Sequence, residues 1–145
     1  MVRFKNRWLL IEFIPLTVDG NATYLPSEGL NGKYIWSALK ESVLANFGDT
    51  GWGAVGTSLT VRVARDHHRI AWGAVTLLKK VQGKTYIPNV IHVSGTIKHA
   101  QLAAIAHNRE AVAKLRALSN LPAMYQSKYD DYLETSMKEI DELQD

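Results

Sequence analysis

The apolar positions of the chain change period several times, and each change marks an element. Trp8 to Ile14 is apolar except for Glu12, which predicts a buried strand. Pro15 ends it. From Leu16 to Gly32 the chain carries Asp19-Gly20, Pro26, Gly29 and Asn31-Gly32, the punctuation of a long loop. Ile35, Leu39, Val43 and Phe47 then recur every four residues, with Lys40 and Glu41 turned outward. This spacing predicts an amphipathic helix that Gly48 stops.

After a glycine-rich stretch, Thr57 to Ala64 alternates. Leu59, Val61 and Val63 share one face and Ser58, Thr60 and Arg62 the other, so a strand with one polar face follows. Asp66 is placed to cap a second helix through Val81. Its inner stripe would be Ile70, Ala74, Leu77 and Leu78, with Lys79 and Lys80 in the last turn. Gln82-Gly83-Lys84 turns the chain and Val90 to Ser94 reads as a strand. Ser94-Gly95-Thr96 leads into a long helix from Ile97 to about Leu118, which Pro122 closes. Beyond it Tyr125, Tyr129, Tyr132, Leu133, Met137 and Ile140 stand at helical spacing.

At 145 residues with 46% hydrophobic content, the chain is long enough to bury a core without staples. The division expected is one α/β domain over 1–122, with its loop at 16–32, and an acidic tail over 123–145, partly helical or disordered. Charge supports that boundary. Met1 to Ala123 carries +8 and Met124 to Asp145 carries −5. A basic body suggests a polyanionic partner, with nucleic acid the first candidate. With no cysteine, a disulfide scaffold, a thiol nucleophile and an iron–sulfur cluster are excluded. The Trp8–Ile14 run is too short to span a bilayer, so a soluble, intracellular protein is expected.

The chain offers little catalytic chemistry. Gly51-Trp52-Gly53-Ala54-Val55-Gly56 satisfies G-x-G-x-x-G, but a helix precedes it and a strand follows. That is the wrong order for a dinucleotide fold, and a flexible turn is the plainer reading. His67 and His68 would point about 100° apart on a helix and cannot share one metal ion well. Ser37-x-x-Lys40 lacks its companion motifs. No acid/base pair or metal cluster stands out, so no catalytic residue, metal or cofactor is assigned to the chain.

Two segments suit an anionic polymer better. Arg3, Lys5 and Arg7 alternate with Phe4 and Trp8. An extended chain would set three cations on one side and aromatic rings on the other, an arrangement for phosphate contacts and stacking. Ser94-Gly95-Thr96-Ile97-Lys98 is a strand-to-helix junction. Its free N–H groups, a glycine permitting close approach, two hydroxyls and Lys98 would cradle a phosphate. A plain cap by Ser94 or Thr96 would use the same residues without needing Lys98. The candidate RNA-binding residues are therefore Arg3, Lys5, Arg7, Ser94, Gly95, Thr96 and Lys98.

These blocks carry a resemblance. Met1-Val2-Arg3-Phe4-Lys5 with Arg7-Trp8-Leu9-Leu10 resembles the opening of the Pop-five family of protein subunits of eukaryotic ribonuclease P and RNase MRP, in its fungal form. Asn46-Phe47-Gly48-Asp49, Arg69-Ile70-Ala71-Trp72, Val93-Ser94-Gly95-Thr96-Ile97-Lys98 and Asn108-Arg109 follow in the family's order. The resemblance implies a ferredoxin-like, RRM-like α/β sandwich with an antiparallel sheet. It implies a non-catalytic RNA-binding subunit in the nucleus and nucleolus, serving 5′ maturation of precursor tRNA and processing of precursor rRNA. The RNA would be the catalyst and would carry the magnesium. Implied partners are the ribonuclease P and RNase MRP RNAs, a TIM-barrel-like protein subunit, a small paralogue of similar fold and a large scaffold subunit.

One departure bears on the sheet. The family places a hairpin between its first two helices, whereas Thr57 to Arg65 holds no Gly, Pro, Asn or Asp to turn on. One strand is expected there instead of two, leaving the sheet a hairpin strand short. Other functions compatible with the residues are a protein-interaction module whose basic charge is incidental and, more remotely, a nucleotide-dependent enzyme using the Gly51–Gly56 segment.

Overall fold

The computed structural model describes residues 5–16, 30–55, 62–118 and 126–143. In chain order the elements are β1 (Asn6–Pro15), α1 (Gly32–Val55), β2 (Arg62–Ala64), a single 3-10 turn (Arg65–His67), α2 (His68–Leu77), β3 (Lys80–Val81), β4 (Lys84–Ser94), α3 (Ile97–Leu118) and α4 (Gln126–Asp141). Packing divides the chain into two compact units, Met1–Gly95 and Thr96–Asp145.

The first unit is built on a four-stranded antiparallel sheet in the order β2-β1-β4-β3. With helices packed on it, this is the mixed α/β, ferredoxin-like class the sequence implied. Among the described residues one strand, β2, lies between α1 and α2; the Thr57–Val61 part of the expected strand lies outside them. The fourth strand comes from elsewhere. Lys80 and Val81, expected at the end of the second helix, pair instead with Thr85 and Lys84. Gln82 and Gly83 make the two-residue turn with φ of 52° and 75°, the positive values that a tight hairpin requires.

This hairpin explains why α2 stops at Leu77 and not at Val81. Leu78 is extended, with ψ of 120°, which directs the chain into β3 and leaves Lys79 and Lys80 outside the helix. Leu78, Val81 and Tyr86 then form one buried cluster. The helix start also differs from expectation. Asp66 bonds Arg65 at 3.2 Å and caps nothing; α2 opens at His68 with no side-chain cap. The inner stripe of α2 is Ala71, Ala74 and Val75, with Ile70 packed against it, while Leu77 is exposed. A run of mostly apolar residues does not reveal its inner face by spacing alone.

Asn31 opens α1, its side-chain oxygen accepting the Lys33 N–H at 3.2 Å. Gly48 interrupts the helix as expected, with φ 66° and ψ −170°, a region open essentially to glycine. The chain then turns back into helix, so the segment from Gly51 to Val55 is helical and not a turn. Trp36 and Trp52 would stand about 24 Å apart on a straight helix. Their ring centroids are 5.6 Å apart, so α1 is two helices folded against each other at Gly48. Lys40 Nζ lies 5.4 Å from both rings.

Helices α1 and α2 cover the sheet face that carries Leu9 and Ile11. Leu9, Val43, Val63, Ala71, Ala74 and Val75 form the larger core, and the Ser42 hydroxyl donates to the Ala74 carbonyl at 2.7 Å inside it. β4 is longer than the Val90–Ser94 strand expected, beginning at Lys84. It carries a bulge: Leu10 faces His92 but Ile11 faces Val90, leaving Ile91 as the extra residue. For that reason Val90 and Val93, three apart, both pack on the core.

The second unit is a helical pair. α3 occupies the range expected, and α4 corresponds to the helical spacing of the tail. Lys114 bonds Glu110 at 2.7 Å along α3 and holds its carboxyl below the ordinary carboxylate range. Among the described residues no helix is long and apolar enough to cross a membrane.

Candidate nucleic-acid interface

The alternation at the start of β1 sends Arg7 and Trp8 to opposite faces of the sheet. Arg7 shares the face of Leu9 and is half-buried at its end, so it is a packed cation and not a freely extended one. It stands opposite Val63, and its Nη1 donates to the Asn6 carbonyl at 3.1 Å. On its other side, β4 ends at Ser94, opposite Trp8. Gly95 is thereby brought beside Arg7. A β-carbon at Gly95 would lie 3.3 Å from Arg7 Nη1, so the absent side chain leaves room for the guanidinium. Within the first unit, Arg7 of one segment singled out in the sequence and Ser94-Gly95 of the other thus meet at one end of the sheet.

Trp8 is flanked across the strands by Arg62 and Ser94, and the Arg62 guanidinium carbon lies 5.9 Å from its ring centroid, within cation–π range. Lys5 is exposed, and its carbonyl accepts the Arg65 N–H at 2.8 Å. Arg62 therefore lies against Trp8 where β1 and β2 pair, Arg7 sits on the opposite face of the same end, and Lys5 and Arg65 meet there through their backbones. Arg62 and Arg65 were not candidates in the sequence. Arg62 was legible only as a member of a polar strand face; the Trp8–Arg62 register supplies the rest. Arg3 and Phe4 lie outside the described residues. Arg62 with the Trp8 indole on one face, and Arg7 beside Gly95 on the other, can hold phosphates and stack on a base.

Ser94 is buried, while Gly95 is exposed. In the second unit, Thr96 acts as the cap of α3: its hydroxyl oxygen accepts the His99 N–H at 3.3 Å and also lies 3.0 Å from His99 Nδ1. Lys98 Nζ is 3.4 Å from an Asp141 carboxylate oxygen. His67 is exposed, whereas His68 Nδ1 lies 2.6 Å from the Arg65 carbonyl. Among the described residues no three His, Asp or Glu side chains are grouped to hold a metal ion.

Residues 7–105 match the model of the Rpp14/Pop5 family. The chain is similar to the ribonuclease P/MRP protein subunit POP5 of Schizosaccharomyces pombe, with 39% identity over 77% of this chain and 91% of that protein. It is 30% identical to the probable ribonuclease P/MRP protein subunit POP5 of Arabidopsis thaliana, over 76% of this chain and 81% of the relative. With the ribonuclease P/MRP protein subunit POP5 of Danio rerio it shares 26% identity, over 79% and 75% respectively.

Proposed function

The chain belongs to the Rpp14/Pop5 family, and from that premise we propose that it is an RNA-binding, non-catalytic protein subunit of ribonuclease P and RNase MRP. The observation that carries the RNA-binding reading is the cationic end of the sheet, where Arg62 lies over Trp8 on one face, Gly95 makes space for Arg7 on the other, and Lys5 and Arg65 are joined through the backbone. Arg3, Lys5 and Arg7 bear on phosphates, as do the exposed groups of the Ser94–Lys98 junction. The chain works in the nucleus and nucleolus, supporting 5′ maturation of precursor tRNA and processing of precursor rRNA. Its RNA partners supply the catalysis and hold the magnesium. Its protein partners are a TIM-barrel-like subunit, a small paralogue of similar fold and a large scaffold subunit.

Assembly with the two RNAs at several salt concentrations tests this. Arg3→Ala/Lys5→Ala/Arg7→Ala should weaken binding and lower the salt slope by about one per charge removed. Preference among RNA sequences should hold, because phosphate contacts position without reading bases. Lys138→Ala, in α4, should leave affinity unchanged. Equal losses from the N-terminal and α4 substitutions would refute the assignment of the RNA face. Cleavage of precursor tRNA by the protein without RNA, abolished by a single substitution, would refute the non-catalytic reading.

A further inference from the structure

Three basic residues of α3 lie on one stripe of that helix. Lys98, Arg109 and Arg116 are spaced eleven and seven residues apart, about three turns and two turns. Each is engaged by α4. Lys98 Nζ pairs with Asp141 at 3.4 Å. The Arg109 guanidinium lies 3.3 Å from the Met137 sulfur. Arg116 bonds the Asp130 carboxylate and sits 5.8 Å from the Tyr129 ring. Between them, Gln101 Nε2 donates to the Ile140 and Leu143 carbonyls, both at 2.8 Å, and Asn108 donates to the Ser136 hydroxyl at 2.7 Å. The acidic helix thus covers the full length of the basic stripe with a carboxylate at each end.

We propose that this stripe of α3 is a second RNA-phosphate surface, and that Asp130 and Asp141 of α4 occupy it as carboxylate stand-ins, exchanged for phosphates when RNA binds. The proposal rests on the reading of the chain as an RNA-binding subunit. The chemistry favours exchange at the two ends. Lys98, Asp141 and Asp130 are well exposed and Arg116 is 37% exposed, and exposed ion pairs are weak and salt-screened. A phosphate offers the same guanidinium or ammonium an equivalent anionic oxygen and also releases counterions. The buried Gln101 amide at the helix end and the Asn108–Ser136 bond can stay in place while the outer pairs open. Lys98 therefore reaches RNA only in exchange for Asp141.

The test compares full-length chains binding ribonuclease P RNA across a salt series. Asp130→Asn/Asp141→Asn should raise affinity by about two- to fivefold per pair and steepen the salt slope by about one for each cation released. Adding Lys98→Ala/Arg116→Ala should abolish that gain. The same two alanines should cost less in the parent, where the cations are already paired. Asp131→Asn/Glu139→Asn, on the same helix but in neither pair, changes net charge equally and should give a smaller gain. Circular dichroism checks that α4 stays helical; if the asparagine variant loses helix, the alanine comparison in the parent decides. Unchanged affinity in Asp130→Asn/Asp141→Asn, an equal gain from the control, or a gain that survives Lys98→Ala/Arg116→Ala would overturn the proposal. If Arg3→Ala/Lys5→Ala/Arg7→Ala weakens binding in the same series, the RNA-binding reading stands whichever way α4 behaves.

Discussion

Gly95 stands beside Arg7 so closely that a β-carbon there would come within 3.3 Å of the guanidinium nitrogen. The atom it would meet is the far end of a flexible side chain, so the fold can absorb Gly95→Ala by moving Arg7. Thermal stability should be little changed while RNA affinity and salt slope fall, because the displaced guanidinium is the group assigned to phosphate. Gly95→Val should extend the effect. A loss of stability without a loss of affinity would mean that Gly95 serves packing alone.

Phe47 separates the fates of two helical glycines. A β-carbon at Gly51 would overlap the Phe47 β-carbon, which is fixed to the backbone. A β-carbon at Gly73 would meet only the distal edge of the ring, Cζ at 3.0 Å and Cε2 at 3.7 Å, in a side chain that is partly exposed. Glycine-to-alanine in a helix ordinarily gains about 1 kcal/mol. Gly73→Ala should keep that gain or break even. Gly51→Ala should lose stability on balance, since overpacking costs about 1–3 kcal/mol. Urea denaturation of both variants checks the order.

Ser42 is buried and donates to the carbonyl of Ala74 at 2.7 Å. The carbonyl already belongs to α2, so the bond clasps α1 to α2 through a small residue where the helices approach. Ser42→Ala should destabilise by about 1 kcal/mol, the net worth of such a bond. Ser42→Val would add volume at the same contact and should cost more. Equilibrium denaturation of the two, compared at equal m-values, measures both effects.

Much of this architecture was legible where one signal acted alone. The apolar run of β1 is a strand as read, though only Leu9 of it is buried; α1 is a helix interrupted at Gly48, though Phe47 of its spacing is exposed; and the length of α3 stands. Errors came where two signals competed. Leu77 and Leu78 both suit a helical stripe, yet the Gln82-Gly83 turn captures Lys80 and Val81 for a strand and ends α2 earlier. The glycines after Gly48 read as a turn because their helix depends on Trp52 packing back toward Trp36, a contact no local pattern reveals. In the candidate site, Arg7 and Gly95 were found separately as members of two motifs. Their meeting, and the addition of Arg62 and Arg65, follow from strand register, which depends on which strands are neighbours.

The bulge at Ile91 bears on how the length of this chain could vary. Removing a residue of β4 away from the bulge would carry the side chains between that point and the bulge to the opposite face, exchanging core for solvent. Removing Ile91 would not, since it is the residue without a partner between Val90 and His92. A chain lacking it should keep Val90 and Val93 inside with an unbroken ladder. The strand thus holds one dispensable position, the place where a single lost codon would leave the sheet's two faces in order.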